Sequence, residues 1–271
     1  MSLRFFQTSS SIINVMGKAV LKAAQGLIRD FGEVEHLQVS LKGPRDFVSV
    51  ADQKAEKTLH YELSKARPTF GFLMEESGAI AGEEDMTWVI DPLDGTYNFL
   101  HSVPHFAISV GLLKGQDPIA GMVYDPLKNE LFWAEKGVGA FMNGYKLRVS
   151  NRKKLSDAMI GVSHFSLVEK TLSDSKNSLS QETGTRHFGA AALDLAYVAS
   201  GRFDGFVARG LKPWDVAAGI VLVREASGMV SDWEGRGTFL DKGQVLASNA
   251  HLHSTLMGFL KEPPRSPSLS S

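Results

Sequence analysis

Apolar residues recur at helical spacing through residues 9–30, with Ile12, Ile13, Met16, Ala19, Val20, Ala23 and Leu27 set against Lys18, Lys22 and Arg29. The spacing predicts an amphipathic helix packed on a core. No small-residue cleavage site follows it, so it does not read as a signal peptide. A short alternation over 46–52 then feeds a second helix that runs to about residue 65, with Asp52 placed as its N-cap. Pro68 stops that helix, and 69–74 read as a strand leading into Glu75-Glu76-Ser77-Gly78.

Next comes Trp88-Val89-Ile90-Asp91-Pro92-Leu93-Asp94-Gly95-Thr96-Tyr97-Asn98-Phe99, the stretch on which the rest of the chain is organised. Pro92 keeps Asp91 out of the helical region, so the apolar run predicts a strand up to the first carboxylate. Gly95 frees the backbone to turn, and Thr96 suits the N-cap of the next segment. The pattern is strand, tight turn, helix, with two carboxylates at the strand's C-terminal end, where open α/β sheets place ligand chemistry.

From 106 to 149 the apolar runs 107–113, 119–124, 131–134 and 140–142 alternate with Asp-Pro and Asn-Gly turns, which predicts an antiparallel meander. Strands and helices alternate afterwards: strand 159–163, helix 190–200, strand 203–208, helix 216–227, strands 229–231 and 245–247, and helix 251–260. A boundary is expected near Asn151. It would divide an α+β half (1–150) that carries the two-acid turn from an α/β half (151–262) that completes the site. The polar segment 166–185 reads as a loop or frayed helix, and the Pro/Ser-rich 263–271 as a disordered tail.

Composition narrows the function classes. A chain of 271 residues, 43% hydrophobic and 22% charged, suits a globular protein with a large core. Its net charge of −1 gives no global basic field for nucleic acid. The absence of cysteine removes disulfides, thiolate metal sites and cysteine nucleophiles, and fits a cytoplasmic setting. No apolar run approaches the roughly 20 residues a bilayer requires, so no membrane role is expected.

Three acidic pieces stand at strand or helix boundaries: Glu75-Glu76-Ser77, Asp91-Pro-Leu-Asp94-Gly-Thr96 and Trp214-Asp215. Taken singly, each has an ordinary reading as a solvated acid, a turn or a cap. Taken together they form an oxygen-only donor set, which favours hard cations such as Mg²⁺ or Mn²⁺. Clustered acids also repel one another unless cations compensate. His101 and His105 have ligand-like spacing, but Pro104 interrupts any helix there, so packing is the expected use. The four tryptophans are expected in the core or walls.

With Gly189-Ala190-Ala191-Ala192-Leu193-Asp194-Leu195 and Gly210-Leu211-Lys212-Pro213-Trp214-Asp215 added, these motifs resemble the inositol monophosphatase family of Mg²⁺-dependent, lithium-sensitive sugar phosphatases. The match is greatest to its bacterial SuhB-like branch. The resemblance implies an α+β, layered αβαβα sandwich of the inositol monophosphatase and fructose-1,6-bisphosphatase type, usually a homodimer. It implies that Glu75, Asp91 and the Leu93 carbonyl hold one metal, and that Asp91, Asp94 and Asp215 hold a second. Two to three Mg²⁺ are expected, with Mn²⁺ a substitute and Li⁺ an inhibitor. The implied reaction is direct hydrolysis by a metal-activated water, with Glu75, Thr96 and Asp52 as catalytic groups. Implied substrate contacts are Leu93, Asp94, Gly95, Thr96, Arg186, Gly189, Ala190, Ala191, Arg209 and Asp215.

The implied substrate is a small phosphorylated polyol or sugar, with myo-inositol-1-phosphate first. Close inositol phosphatases carry a ring-contacting glutamate seven residues before the last aspartate; here that position is Ala208, followed by Arg209. The rival expectation from the same branch is a regulator that binds RNA or the transcription machinery. The net charge counts against it.

Overall fold

The computed structural model describes residues 8, 10–33, 39–43, 46–163 and 179–260. The tail 263–271 and residues 166–178 of the polar segment lie outside the described residues.

Helix α1 (Ser11–Gly32) starts with the Ser10 hydroxyl accepting the Ile13 amide at 3.2 Å. The antiparallel ladder β1 (Val39–Gly43) and β2 (Asp46–Ser49) runs straight into α2 (Val50–Ala66). Asp52 is therefore in the first turn of α2 rather than at its N-cap. Its carboxylate has a tertiary partner instead, as described below.

Strands β3 (Gly71–Met74), β4 (Gly78–Ile80) and β5 (Met86–Asp94) come next, then the short helix α3 (Thr96–Leu100). The meander follows: β6 (Ala107–Lys114), β7 (Asp117–Asp125), β8 (Glu130–Glu135), β9 (Gly139–Met142) and β10 (Tyr145–Lys146). These form one eight-stranded sheet, antiparallel except where β3 runs parallel to β5. The expectation that β5 ends at Asp91 is corrected, since the strand continues to Asp94. Its register with β6 shifts between Asp91 and Asp94, so Pro92 sits at an irregularity that asks no amide of it.

The remainder comprises β11 (Met159–Ser163), α4 (Leu179–Glu182), β12 (Gly184–Arg186), α5 (Ala191–Ala199), β13 (Gly205–Arg209), α6 (Pro213–Glu225), β14 (Met229–Ser231), α7 (Phe239–Lys242), β15 (Gln244–Ser248) and α8 (His253–Leu260). Five strands form a mixed sheet in the order β12-β11-β13-β15-β14. The described end of the polar segment is thus one helical turn and an edge strand, anchored by fully buried Leu179.

Alternation along the strands builds the layers. Trp88 and Ile90 of β5 join α1 and α2 in one cluster. Val123 and Phe132 look the other way, onto α5 and α6, which also receive Phe206 and Ala247 of the second sheet. Val207 and Leu246 face outward to Leu252, Leu256 and Leu260 around α8. The result is an αβαβα sandwich.

Helix α6 lies unusually close to the first sheet because two glycines, Gly111 and Gly121, pair across β6 and β7 beneath it. A Cβ on Gly121 would stand 2.5 Å from the Ala218 carbonyl oxygen and 2.7 Å from its Cα. Gly121→Ala must therefore push α6 off the sheet, at roughly 1–3 kcal/mol. We expect a melting temperature lower by several degrees in a circular dichroism melt; an unchanged midpoint would show that the close seat has slack.

Candidate active site

Residues 75, 91, 94 and 215 converge from three separate elements. Glu75 leaves β3 in the three-residue loop before β4, and its amide donates to the Ile90 carbonyl at 3.2 Å. Asp91 and Asp94 end β5, and Asp215 lies in the first turn of α6. The Glu75 carboxyl shares a side-chain hydrogen bond with Asp91.

Asp91 and Asp94 are only 2% and 8% exposed. Burial, followed by the charges of Glu75, Asp94 and Asp215, pushes the Asp91 carboxyl well above the ordinary carboxylate range. Asp94 is pushed the same way by burial and then by Asp215, against the downward pull of two backbone amides.

Each aspartate is fixed by main-chain N–H groups. The Leu93 amide donates to Asp91 Oδ1 at 3.0 Å, and the Lys212 amide to Asp215 Oδ2 at 2.7 Å. Ala191 and Ala192 at the start of α5 donate to Asp94 Oδ1 and Oδ2 at 3.2 and 2.7 Å. Asp94 and Asp215 thus cap two helices of the middle layer, and the sequence reading missed this second duty.

The donor set is chemically suited to a hard divalent cation, being made of carboxylate and carbonyl oxygens, with Asp91 and Asp94 buried and Glu75 and Asp215 half-buried beside them. Each carboxylate oxygen that accepts one amide keeps a further lone pair. Among the described residues no three acidic or histidine side chains converge closely enough to clasp an ion as they stand. The fit is one of chemistry and charge.

Gly95 is the N-cap of α3 at φ 91°, so Thr96 is the first helical residue rather than the cap. The Thr96 hydroxyl lies 3.0 Å from Asp52 Oδ1 and 2.9 Å from the Leu93 carbonyl, both acceptors for its one proton. A Cβ on Gly95 would meet the His105 carbonyl at 3.1 Å and Ala190 Cβ at 3.3 Å, so this turn abuts Gly189 and Ala190. Asn98 ties the two together by donating to the carbonyls of His105 and Phe188 at 2.9 and 2.7 Å.

The arginines behave differently. Arg186 ends the edge strand β12, exposed, with its Nη1 donating to the Thr185 carbonyl at 2.8 Å. Arg209 ends β13 and lies over the Trp233 ring at 5.6 Å. Each of these contacts is to a local partner. Ala208 is fully buried, on the face of β13 that packs against the middle helices. His101 stacks on Tyr97 at 4.3 Å, and His105 packs against Phe188 and Tyr197. Burial and the nearby Lys128 charge hold His105 down at about 4.

Two buried acids beside the site escaped the sequence reading. Asp194, in the first turn of α5, is pushed well up by burial and by Asp94. Glu56, on α2, accepts from the loop that carries Glu75. Asp194 belongs to the Gly189–Leu195 motif without a role assigned to it there, and the signal for Glu56 is positional, four residues after Asp52.

The model of the inositol monophosphatase family matches residues 8–262. An inositol-1-monophosphatase of Mesorhizobium japonicum is 50% identical over 259 residues, spanning 94% of this chain and 97% of that protein. The Nus factor SuhB of Pseudomonas aeruginosa is 41% identical over 95% of this chain and 98% of its own length. The crystal structure of the extragenic suppressor protein SuhB from Bartonella henselae superposes with a TM-score of 0.88 at 48% identity, covering 93% of this chain and 99% of that one.

Proposed function

The chain belongs to the inositol monophosphatase family, a family of phosphatases, and on that premise we propose a Mg²⁺-dependent hydrolysis of small sugar or polyol monophosphates, with myo-inositol-1-phosphate the first substrate. The observation that carries this reading is the cluster of Glu75, Asp91, Asp94 and Asp215 beside the Gly95-Thr96 turn, whose two central carboxyls, Asp91 and Asp94, are buried and pushed up by their acidic neighbours. The half-identical relative named inositol-1-monophosphatase supports the choice of substrate.

Glu75, Asp91 and the Leu93 carbonyl would hold one ion, and Asp91, Asp94 and Asp215 another. Bound there, magnesium supplies the charge that acidifies an attacking water and steadies the departing oxygen. The chain's own groups do the rest. The Gly95 and Thr96 amides at the start of α3 meet the phosphate, and the Gly189–Ala191 turn walls the substrate side. With Asp52 accepting its hydroxyl proton, Thr96 Oγ keeps lone pairs for an O–H of the attacking water, and Glu75 takes part from the other side. Water adds to phosphorus as the P–O bond to the alcohol breaks, giving free polyol and inorganic phosphate.

The test is phosphate release from a panel of polyol, sugar and nucleotide phosphates with and without Mg²⁺. We expect turnover only with the metal, inositol phosphate among the best substrates, and inhibition by millimolar Li⁺. Equal turnover in chelator would defeat the reading.

Ala208 bears on selectivity. A side chain that supplies a hydroxyl partner sharpens discrimination by leaving the wrong substrate unsatisfied. Ala208→Glu is expected to raise the preference for inositol phosphate over other polyol phosphates in the protein that folds, with a large loss of melting temperature because a carboxylate at this fully buried position is desolvated. An unaltered substrate ranking would argue that other walls set specificity.

A second reading draws on the relative named Nus factor SuhB. A duty in the transcription machinery is compatible with the phosphatase site, and it predicts RNA or polymerase binding that survives removal of Asp91.

A further inference from the structure

The loop Glu75-Glu76-Ser77 is held from two sides. On one side, the Glu75 amide extends the β3–β5 ladder by donating to Ile90. On the other, α2 reaches across with Glu56, which is 2% exposed. Glu56 Oε2 accepts the Glu76 amide at 2.8 Å, and Oε1 accepts the Ser77 hydroxyl at 2.5 Å. Each oxygen of one carboxylate thus takes a different donor, and bonds to a charged acceptor are the stronger kind.

Glu56 also stands one helical turn after Asp52, on the same face of α2. Asp52 accepts from Thr96 on α3. One helix face therefore sets two turns: the one that carries Thr96 and the one that carries Glu75.

We infer that Glu56 is a positioning residue for the reaction: its two-point grip on Glu76 and Ser77 aims the Glu75 carboxylate at Asp91 and so sets the site's grip on magnesium. The inference rests on the proposed metal-dependent phosphatase reading and adds to it a group that touches neither substrate nor metal. Groups that orient ligands are worth about 10–100-fold in metal affinity.

Reach and charge can be separated. Glu56→Asp keeps the charge but shortens the arm by one methylene, so it loses the loop. Glu56→Gln keeps an acceptor for the Glu76 amide and offers Ser77 an N–H donor in exchange. The readouts are calorimetric Mn²⁺ binding to the metal-free protein, the Mg²⁺ concentration for half-maximal activity, and KM at saturating Mg²⁺. For Glu56→Asp and Glu56→Ala we expect metal affinity weakened by about tenfold or more with little change in KM, since the phosphate meets the other turn. Glu56→Gln should stay within about threefold of wild type, and Ser77→Ala, which removes one bond, should fall between.

Unchanged metal binding in folded Glu56→Asp, or a Gln variant as impaired as Ala, overturns the inference. If Glu56→Ala fails to fold, the Asp, Gln and Ser77→Ala series still decides. A wild-type protein that hydrolyses phosphates without magnesium would defeat the functional reading instead, so the two failures are distinguishable.

Discussion

Asp91→Asn should lower Mg²⁺-dependent turnover by about 10³-fold or more while making the metal-free protein harder to melt. The first effect follows from the proposed place of Asp91 as the carboxylate shared by both ions. The second follows from the electrostatics of the metal-free state. Asp91 is buried beside the charges of Glu75, Asp94 and Asp215, so a neutral side chain of the same shape removes that repulsion. The amide oxygen of asparagine can still accept the Leu93 amide that now bonds Asp91 Oδ1 at 3.0 Å, so the turn keeps its form. A gain of about 1 kcal/mol would raise the midpoint by about 2–4 °C for a protein of this size. Added Mg²⁺ should stabilise the wild type in proportion to ligand occupancy and leave the variant nearly unmoved. A variant that is inactive but less stable in chelator would mean that Asp91 is mainly a structural acid. A variant as active as wild type would remove the mechanism.

The second large effect is expected at Thr96. Its hydroxyl stands between Asp52 Oδ1 and the Leu93 carbonyl, at 3.0 and 2.9 Å. Thr96→Ala removes the group proposed to take part in proton transfer from the attacking water, a role worth about 10²–10⁴-fold in rate. We expect kcat to fall by about 10²–10³-fold with metal binding preserved. Lost hydrogen bonding at the turn should cost about 1 kcal/mol of stability. Thr96→Ser restores the hydroxyl and should return most of the rate. Equal impairment of Ser and Ala variants would shift the role from the hydroxyl to the methyl group and its packing.

Sequence periodicity carried the layers well, because each depends on local alternation. The meander, the α1 stripe and the strand over 159–163 all reflect patterns a few residues long. The departures have a common physical cause in partners distant along the chain. Asp52 looked like a cap because its neighbours permit one, yet β2 leads into the helix at Val50 and Asp52 answers to Thr96, 44 residues on. Pro92 looked like a strand end because the shift in register that accommodates it arises only against β6. Glu56 carried no signal beyond its spacing from Asp52, since a glutamate inside a helix is ordinarily solvated. The four clustered acids were legible through their motifs, whereas the capping duties of Asp94 and Asp215 depend on helices assembled elsewhere. Arg186 and Arg209 are implied as substrate contacts by the resemblance alone, and their described contacts are to the Thr185 carbonyl and the Trp233 ring.

The bond from the Ala191 and Ala192 amides to Asp94 closes a loop of nearly a hundred residues, with separations of 97 and 98. Closing such a loop costs chain entropy that grows only slowly with length, and the bond is made only when the end of β5 meets the start of α5. In hydrogen-exchange terms, protection of those two amides reports the contact between β5 and α5. The carboxylate that would hold a cation is the same one that records whether these two elements are docked.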